Sequence, residues 1–103
     1  MLKAVLHLCR RAPAEAAAVD AWRQRMGSGD AVVLLENAVL GCRRGSLWGE
    51  AWQATAVTRR VFVMLPDLAA RGILPSSVAA GIDPIDYAGL VALCCEYDLV
   101  QSW

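Results

Sequence analysis

Val61-Phe62-Val63-Met64-Leu65, followed at once by Pro66-Asp67-Leu68-Ala69-Ala70-Arg71-Gly72, is the stretch that decides the fold. Five apolar residues in a row lack the alternation of a half-solvated strand. They suit a strand buried on both faces, which calls for a parallel sheet covered by helices. The segment after it predicts a short helix capped by Asp67 and stopped by Gly72, with Arg71 near the C-terminus where the helix dipole favours a cation.

Upstream, Val5 to Leu8 is a short, mostly apolar stretch around His7, and Ala31 to Leu35 is a second uninterrupted apolar run. A helix is predicted between them over Pro13 to Met26. Pro13 stands near its start, Ala16, Val19, Trp22 and Met26 recur at helical spacing, and Gly27 follows its end. Asn37 to Leu40 reads as one turn, and Gly41 and Gly45 bracket a loop. Ser46 is placed to cap a second helix through Thr55, with Trp48 and Trp52 four apart on one face.

Downstream, residues 73–81 read as loop and Ile82 to Ile85 as a brief strand. Pro84 inside it predicts an edge position or a strand end, because proline cannot donate to a ladder. Asp86 is placed to cap a final helix whose apolar face is Tyr87, Leu90, Val91, Cys94 and Tyr97. Leu99 to Trp103 reads as a terminal strand or extended tail. Strands alternating with helices predict the α/β class: a three-layer α/β/α sandwich of about five mostly parallel strands with right-handed crossovers.

A chain of 103 residues is expected to form one domain, residues 1–103, since single cores occupy about 50 to 200 residues. Apolar residues make up 57%, so either the core is rich or some apolar surface meets a partner. Charged residues interrupt every apolar run before the roughly 18 residues of a membrane span. The start, with Lys3, His7 and two arginines, lacks a signal peptide's long apolar region, and a cytoplasmic location is expected. Ten basic and ten acidic residues cancel, which argues against direct nucleic-acid binding. Four cysteines without a Cys-x-x-Cys spacing, and a lone histidine, argue against a zinc site; in the cytoplasm these are reduced thiols. Neither a Gly-x-Gly-x-x-Gly nor a Walker loop marks a nucleotide site.

Cys-Arg-Arg occurs twice, at Cys9-Arg10-Arg11 and Cys42-Arg43-Arg44, each just after a strand. Loops that follow parallel strands emerge on the ligand-binding edge of the sheet. Neighbouring cations favour thiolate over thiol, so Cys9 and Cys42 are candidate sulfur-carrying nucleophiles, and Arg10, Arg11, Arg43 and Arg44 candidate anion binders for sulfite, persulfide or phosphate. The plainer reading is that nine arginines against one lysine generate such pairs by composition, as at Arg59-Arg60, and that both cysteines are small core residues. Of Cys94 and Cys95 in the last helix, one is expected in the core. His7, flanked by apolar residues, is expected to be a hydrogen-bonded structural histidine. Trp48, Trp52 and Trp103 are candidate interface residues, since tryptophan is enriched at binding hot spots, with core packing as the alternative for the first two.

The order of these features resembles the DsrH/TusB family of small sulfur-relay subunits. The likeness is carried by Asp67-Leu68-Ala69-Ala70-Arg71-Gly72, by Ile85-Asp86-Tyr87, by the ending Val100-Gln101-Ser102-Trp103, and by Leu6-His7 with its basic pair and Pro13. Membership implies a DsrEFH-like fold and a hetero-oligomer with DsrE/TusD-like and DsrF/TusC-like small α/β chains, as in DsrEFH or TusBCD assemblies. It implies sulfur delivery for tRNA wobble 2-thiouridine synthesis or for dissimilatory sulfur oxidation, without a cofactor. In such assemblies the persulfide cysteine belongs to the DsrE/TusD-type subunit, which implies a non-catalytic assembly role here. Some relatives carry a cysteine in the first helix, where this chain has none. The other reading is a sulfurtransferase with persulfide on Cys9 or Cys42. Apolar surface meant for sister subunits implies self-association of the isolated chain. Asp67, Arg71, Asp86 and Tyr87 are read as fold-specifying: two caps, a dipole-matched cation and a packing aromatic.

Overall fold

The computed structural model describes residues 4–12, 20–21 and 23–103. Five strands form the sheet: β1 (Val5–Cys9), β2 (Ala31–Leu34), β3 (Arg60–Met64), β4 (Ile82–Ile85) and β5 (Leu99–Ser102). Among the described residues, α1 (Leu47–Thr55), α2 (Leu65–Ala70) and α3 (Tyr87–Glu96) are helices whose full bounds are described, with 3-10 turns at Glu36–Gly41 and Pro75–Ser77. The predicted helix over Pro13 to Met26 lies largely outside the described residues; its positions 20, 21 and 23 are helical.

The sheet order is β4-β3-β2-β1-β5 and every pairing is parallel. This order has a physical consequence. From β1 to β4 the chain steps in one direction, so right-handed crossovers deposit their connections on one face; the return to β5 runs the other way and puts α3 on the opposite face. The side chains divide accordingly. One core gathers Cys9, Val32, Leu34, Trp52, Val61, Val63, Leu68 and Ile82 on the face of α1 and α2. The other gathers Leu6, Ala31, Val33, Phe62, Met64 and Leu93 beneath α3. Alternate residues of β2 and β3 thus serve opposite cores, and all four residues of β2 are buried. The α/β sandwich is as expected, with five strands, all of them parallel.

Local signals explain most boundaries. Ser46 Oγ accepts from the Gly49 amide at 3.0 Å and caps α1, and Asp86 accepts from the Gly89 amide at 2.8 Å and caps α3. Gly72, at a φ of 67°, ends the turn after α2 in the left-handed region. Pro84 lies in edge strand β4, as its missing N–H requires.

Two expectations are corrected. Asp67 is not the cap of α2, which begins at Leu65 with Pro66 in its first turn and Met64 in the cap position; Asp67 instead lies within that turn and pairs with Arg71 at 3.7 Å. Sequence reading placed the cap three residues late, at Asp67 instead of Met64, because Met64 ends a strand and offers no polar cap. The apolar face of α3 is also shifted. Leu93 is buried and Leu90, Cys94 and Tyr97 pack partly against the second core, while Tyr87 is 64% and Val91 62% exposed. Helical periodicity marks which residues share a face, but only the sheet beneath decides which face is covered.

Candidate functional site

β1 and β2 are neighbours, with Cys9 beside Leu34 in register, so the two Cys-Arg-Arg segments leave the same edge of the sheet. After β2 the chain bends through Glu36, a non-glycine residue at a φ of 52°, into the 3-10 turn that delivers Cys42. Such left-handed backbone in an ordinary residue is uncommon and recurs at functional turns.

The thiols, however, point inward. Cys9 is 1% and Cys42 0% exposed, and both belong to the core beneath α1. Burial pushes the Cys42 thiol up, outweighing its own amide and the pull of the Arg43 charge. The expected thiolate-favouring effect of the arginines is therefore reversed at Cys42, because desolvation of the charged form is the larger effect. Cys95 is exposed and Cys94 half-buried on α3.

The arginines, in contrast, face outward. Arg10, Arg11, Arg43 and Arg44 are all exposed. The first pair is tied toward β5 through the Arg10 amide, which donates to the Trp103 carbonyl at 3.2 Å. The second is tied to the segment after α2: the Arg44 amide donates to the Ser77 carbonyl at 2.8 Å, and Arg43 bridges Val78. The two pairs thus sit against different segments.

A third constellation went unforeseen. His7 Nε2 meets Asp30 Oδ2 at 2.8 Å, and Trp103 Nε1 donates to His7 Nδ1 at 2.9 Å. Because the indole can only donate, Nδ1 must accept, which assigns the neutral tautomer with its proton on Nε2, directed at Asp30. The rings of His7 and Trp103 stack with centroids 6.0 Å apart. Asp30 also accepts from the Val5 amide at 3.0 Å and the Gly27 amide at 2.9 Å. Burial raises its carboxyl, but the His7 bond and the two amides outweigh burial and hold it below the usual aspartate range. Sequence reading anticipated the hydrogen-bonded histidine and missed its partner. The available signal was Asp30 itself, an acid between Gly29 and a fully apolar strand, where a buried charge requires donors.

Trp52 is buried and Trp48 is half-buried against the same core, their rings 6.1 Å apart, with the Arg23 guanidinium 5.7 Å over Trp48. Trp103 packs on that core as well as on His7. Exposed apolar residues include Tyr87 and Val91 of α3 and Leu99 and Val100 of β5, together with Leu47 at the start of α1, Val57 just after it, and Leu40 and Leu74 in the connections. Among the described residues no three His, Cys, Asp or Glu side chains are grouped to hold a metal ion, and no helix is long and apolar enough to cross a membrane.

The fold is a small α/β unit on a parallel five-stranded sheet, and the profile of the DsrH like protein family matches residues 11–100. The chain belongs to that family, which places it among sulfur-relay subunits in general. The fold is similar to that of the ychN protein from E. coli, at a TM-score of 0.74 and 16% identity, covering 99% of this chain and 100% of that one. It is also similar to a protein of unknown function from Methanobacterium thermoautotrophicum, at a TM-score of 0.67 and 17% identity, covering 98% and 99% of the two chains. No curated protein matches the sequence.

Proposed function

We propose that the chain is a non-catalytic assembly subunit of a cytoplasmic sulfur-relay complex, acting as a single DsrH/TusB-like domain over residues 1–103. Its partners in this reading are DsrE/TusD-like and DsrF/TusC-like small α/β subunits, which carry the persulfide and any nucleic-acid contact. The complex serves tRNA wobble 2-thiouridine synthesis or dissimilatory sulfur oxidation. The observation that carries the reading is the burial of both candidate thiols. A sulfur carrier exposes a thiolate to its donor, whereas Cys9 and Cys42 are core residues and Cys42 is held as thiol. Two docking surfaces enter this reading: the exposed apolar residues of α3 on one face of the sheet, and the partly exposed Trp48 and Trp103, with Trp52 in the core they pack on, on the other.

The test is intact mass after incubation with a sulfane-sulfur donor. An unchanged mass supports assembly; a gain of about 32 Da, one sulfur as a persulfide, that disappears in Cys9→Ser or Cys42→Ser supports the alternative sulfurtransferase and overturns this reading.

A further inference from the structure

We propose that the hollow beside Arg43 and Arg44 binds a small, doubly charged oxyanion, of the class of thiosulfate, sulfite or phosphate. The hollow has a volume of about 460 Å³ and is lined by Arg43, Arg44, Gly72, Leu74, Ser76 and Ser77 among others. Its residues belong to the connections that follow β2 and β3, and such connections of open parallel sheets are where ligands are commonly bound.

Its charge is uncompensated. Arg23, Arg60 and Arg71 are each matched by a carboxylate, of Asp20, Glu96 and Asp67. No acidic residue lines this hollow. Arg44 donates only to a neutral acceptor, the Ser76 carbonyl, at 3.0 Å, and the Arg43 guanidinium is not engaged with any described residue. The hydroxyls of Ser76 and Ser77 likewise remain available as donors. Two arginines and two serines among the lining residues can supply the fork-shaped and single donors that a tetrahedral or pyramidal oxyanion accepts.

The donors also stand on a fixed base. The Arg43 carbonyl accepts from the Ser46 amide at 3.2 Å and from Ser46 Oγ at 2.7 Å. The Arg44 amide is held by Ser77, the Ala79 amide donates to the Cys42 carbonyl at 2.8 Å, and Ser77 and Val78 close their own turn onto Leu74 and Pro75. The backbone that carries the donors is thus already ordered, and a ligand has only the side chains left to fix. A whole-molecule charge of zero and a hollow of this size disfavour a polynucleotide. The inference is independent of the assembly role: an inert subunit and a sulfur carrier could equally hold an oxyanion here.

The experiment is an amide chemical-shift titration of the full chain with thiosulfate, sulfite and phosphate, each against chloride at constant ionic strength. Saturable shifts confined to residues 43–45 and 72–77 are expected for at least one dianion, and the preferred dianion distinguishes a sulfur oxyanion from free phosphate. Arg43→Ala, whose side chain supports nothing else, is expected to weaken binding at least about tenfold, the loss of one charge-assisted contact. Arg10→Ala is expected to leave it unchanged. Shifts that fail to saturate or match those of chloride, an unaltered affinity in a folded Arg43→Ala chain, or tighter binding of a short RNA at the same amides would each overturn the proposal.

Discussion

Asp30→Asn is the most informative single change, because it keeps the shape of the side chain and alters only its charge and one acceptor. Wild-type Asp30 receives three hydrogen bonds, from the Val5 amide on Oδ1 and from His7 Nε2 and the Gly27 amide on Oδ2. An amide NH2 in place of either oxygen faces at least one of these donors. The imidazole cannot adapt by moving its proton to Nδ1, since Trp103 Nε1 already donates there. The gentler orientation sacrifices the Val5 bond and weakens the other two by removing their charge. One buried donor left unsatisfied costs about 1–3 kcal/mol, and loss of charge assistance adds about 1 kcal/mol, so roughly 2–4 kcal/mol is expected. Against a total of about 5–15 kcal/mol that is a large loss.

Urea unfolding followed by tryptophan fluorescence measures it. The pH dependence gives a second readout. The Asp30 carboxyl is held below its ordinary value in the folded chain, so its contribution is complete above the unfolded value and declines as pH falls through the folded one. The wild-type advantage is therefore expected to hold near neutrality and to shrink below about pH 4. An Asn variant within about 0.5 kcal/mol of wild type at neutral pH, inside the range of an ordinary surface change, would refute the reasoning.

Further outcomes follow from the same contacts. Trp103→Phe keeps the stacking ring but removes the donor to His7 Nδ1, and is expected to cost about 1–2 kcal/mol by urea titration. Gly49→Ala would place a Cβ only 1.8 Å from the Arg43 carbonyl, and is expected to destabilise by about 2 kcal/mol or more while shifting the amides of residues 43–46 in NMR spectra. Under iodoacetamide, Cys95 is expected to react first and Cys94 more slowly, with Cys9 and Cys42 protected until denaturant is added; peptide mapping by mass checks the order.

Much of the architecture was legible because a few residue patterns admit few structures. Two uninterrupted apolar runs and a third short apolar stretch called for a sheet covered on both faces, and Ser46, Asp86, Gly72 and Pro84 each marked a boundary by local chemistry alone. What sequence left open were relations between distant segments. Nothing in the spacing of His7, Asp30 and Trp103 announces that β5 returns beside β1 and brings residue 103 onto the ring of residue 7. The cysteines show the same limit at the site. Their neighbours along the chain are cations, which argue for thiolate, whereas the direction of each side chain into the core was set by pairing of β1 and β2 and by the turn after β2. Tyr87 and Val91 share a helical face with Leu90 and Cys94, yet α3 crosses the sheet so that they remain outside.

The central claim, that this chain works by docking beside sister subunits, is tested most directly by native mass spectrometry of the protein isolated from its own cell under gentle conditions. The account predicts a defined hetero-oligomer in which this chain accompanies small α/β chains, at least one bearing a reactive thiol. A population made up only of the free monomer, carrying sulfur on its own cysteine, would contradict it.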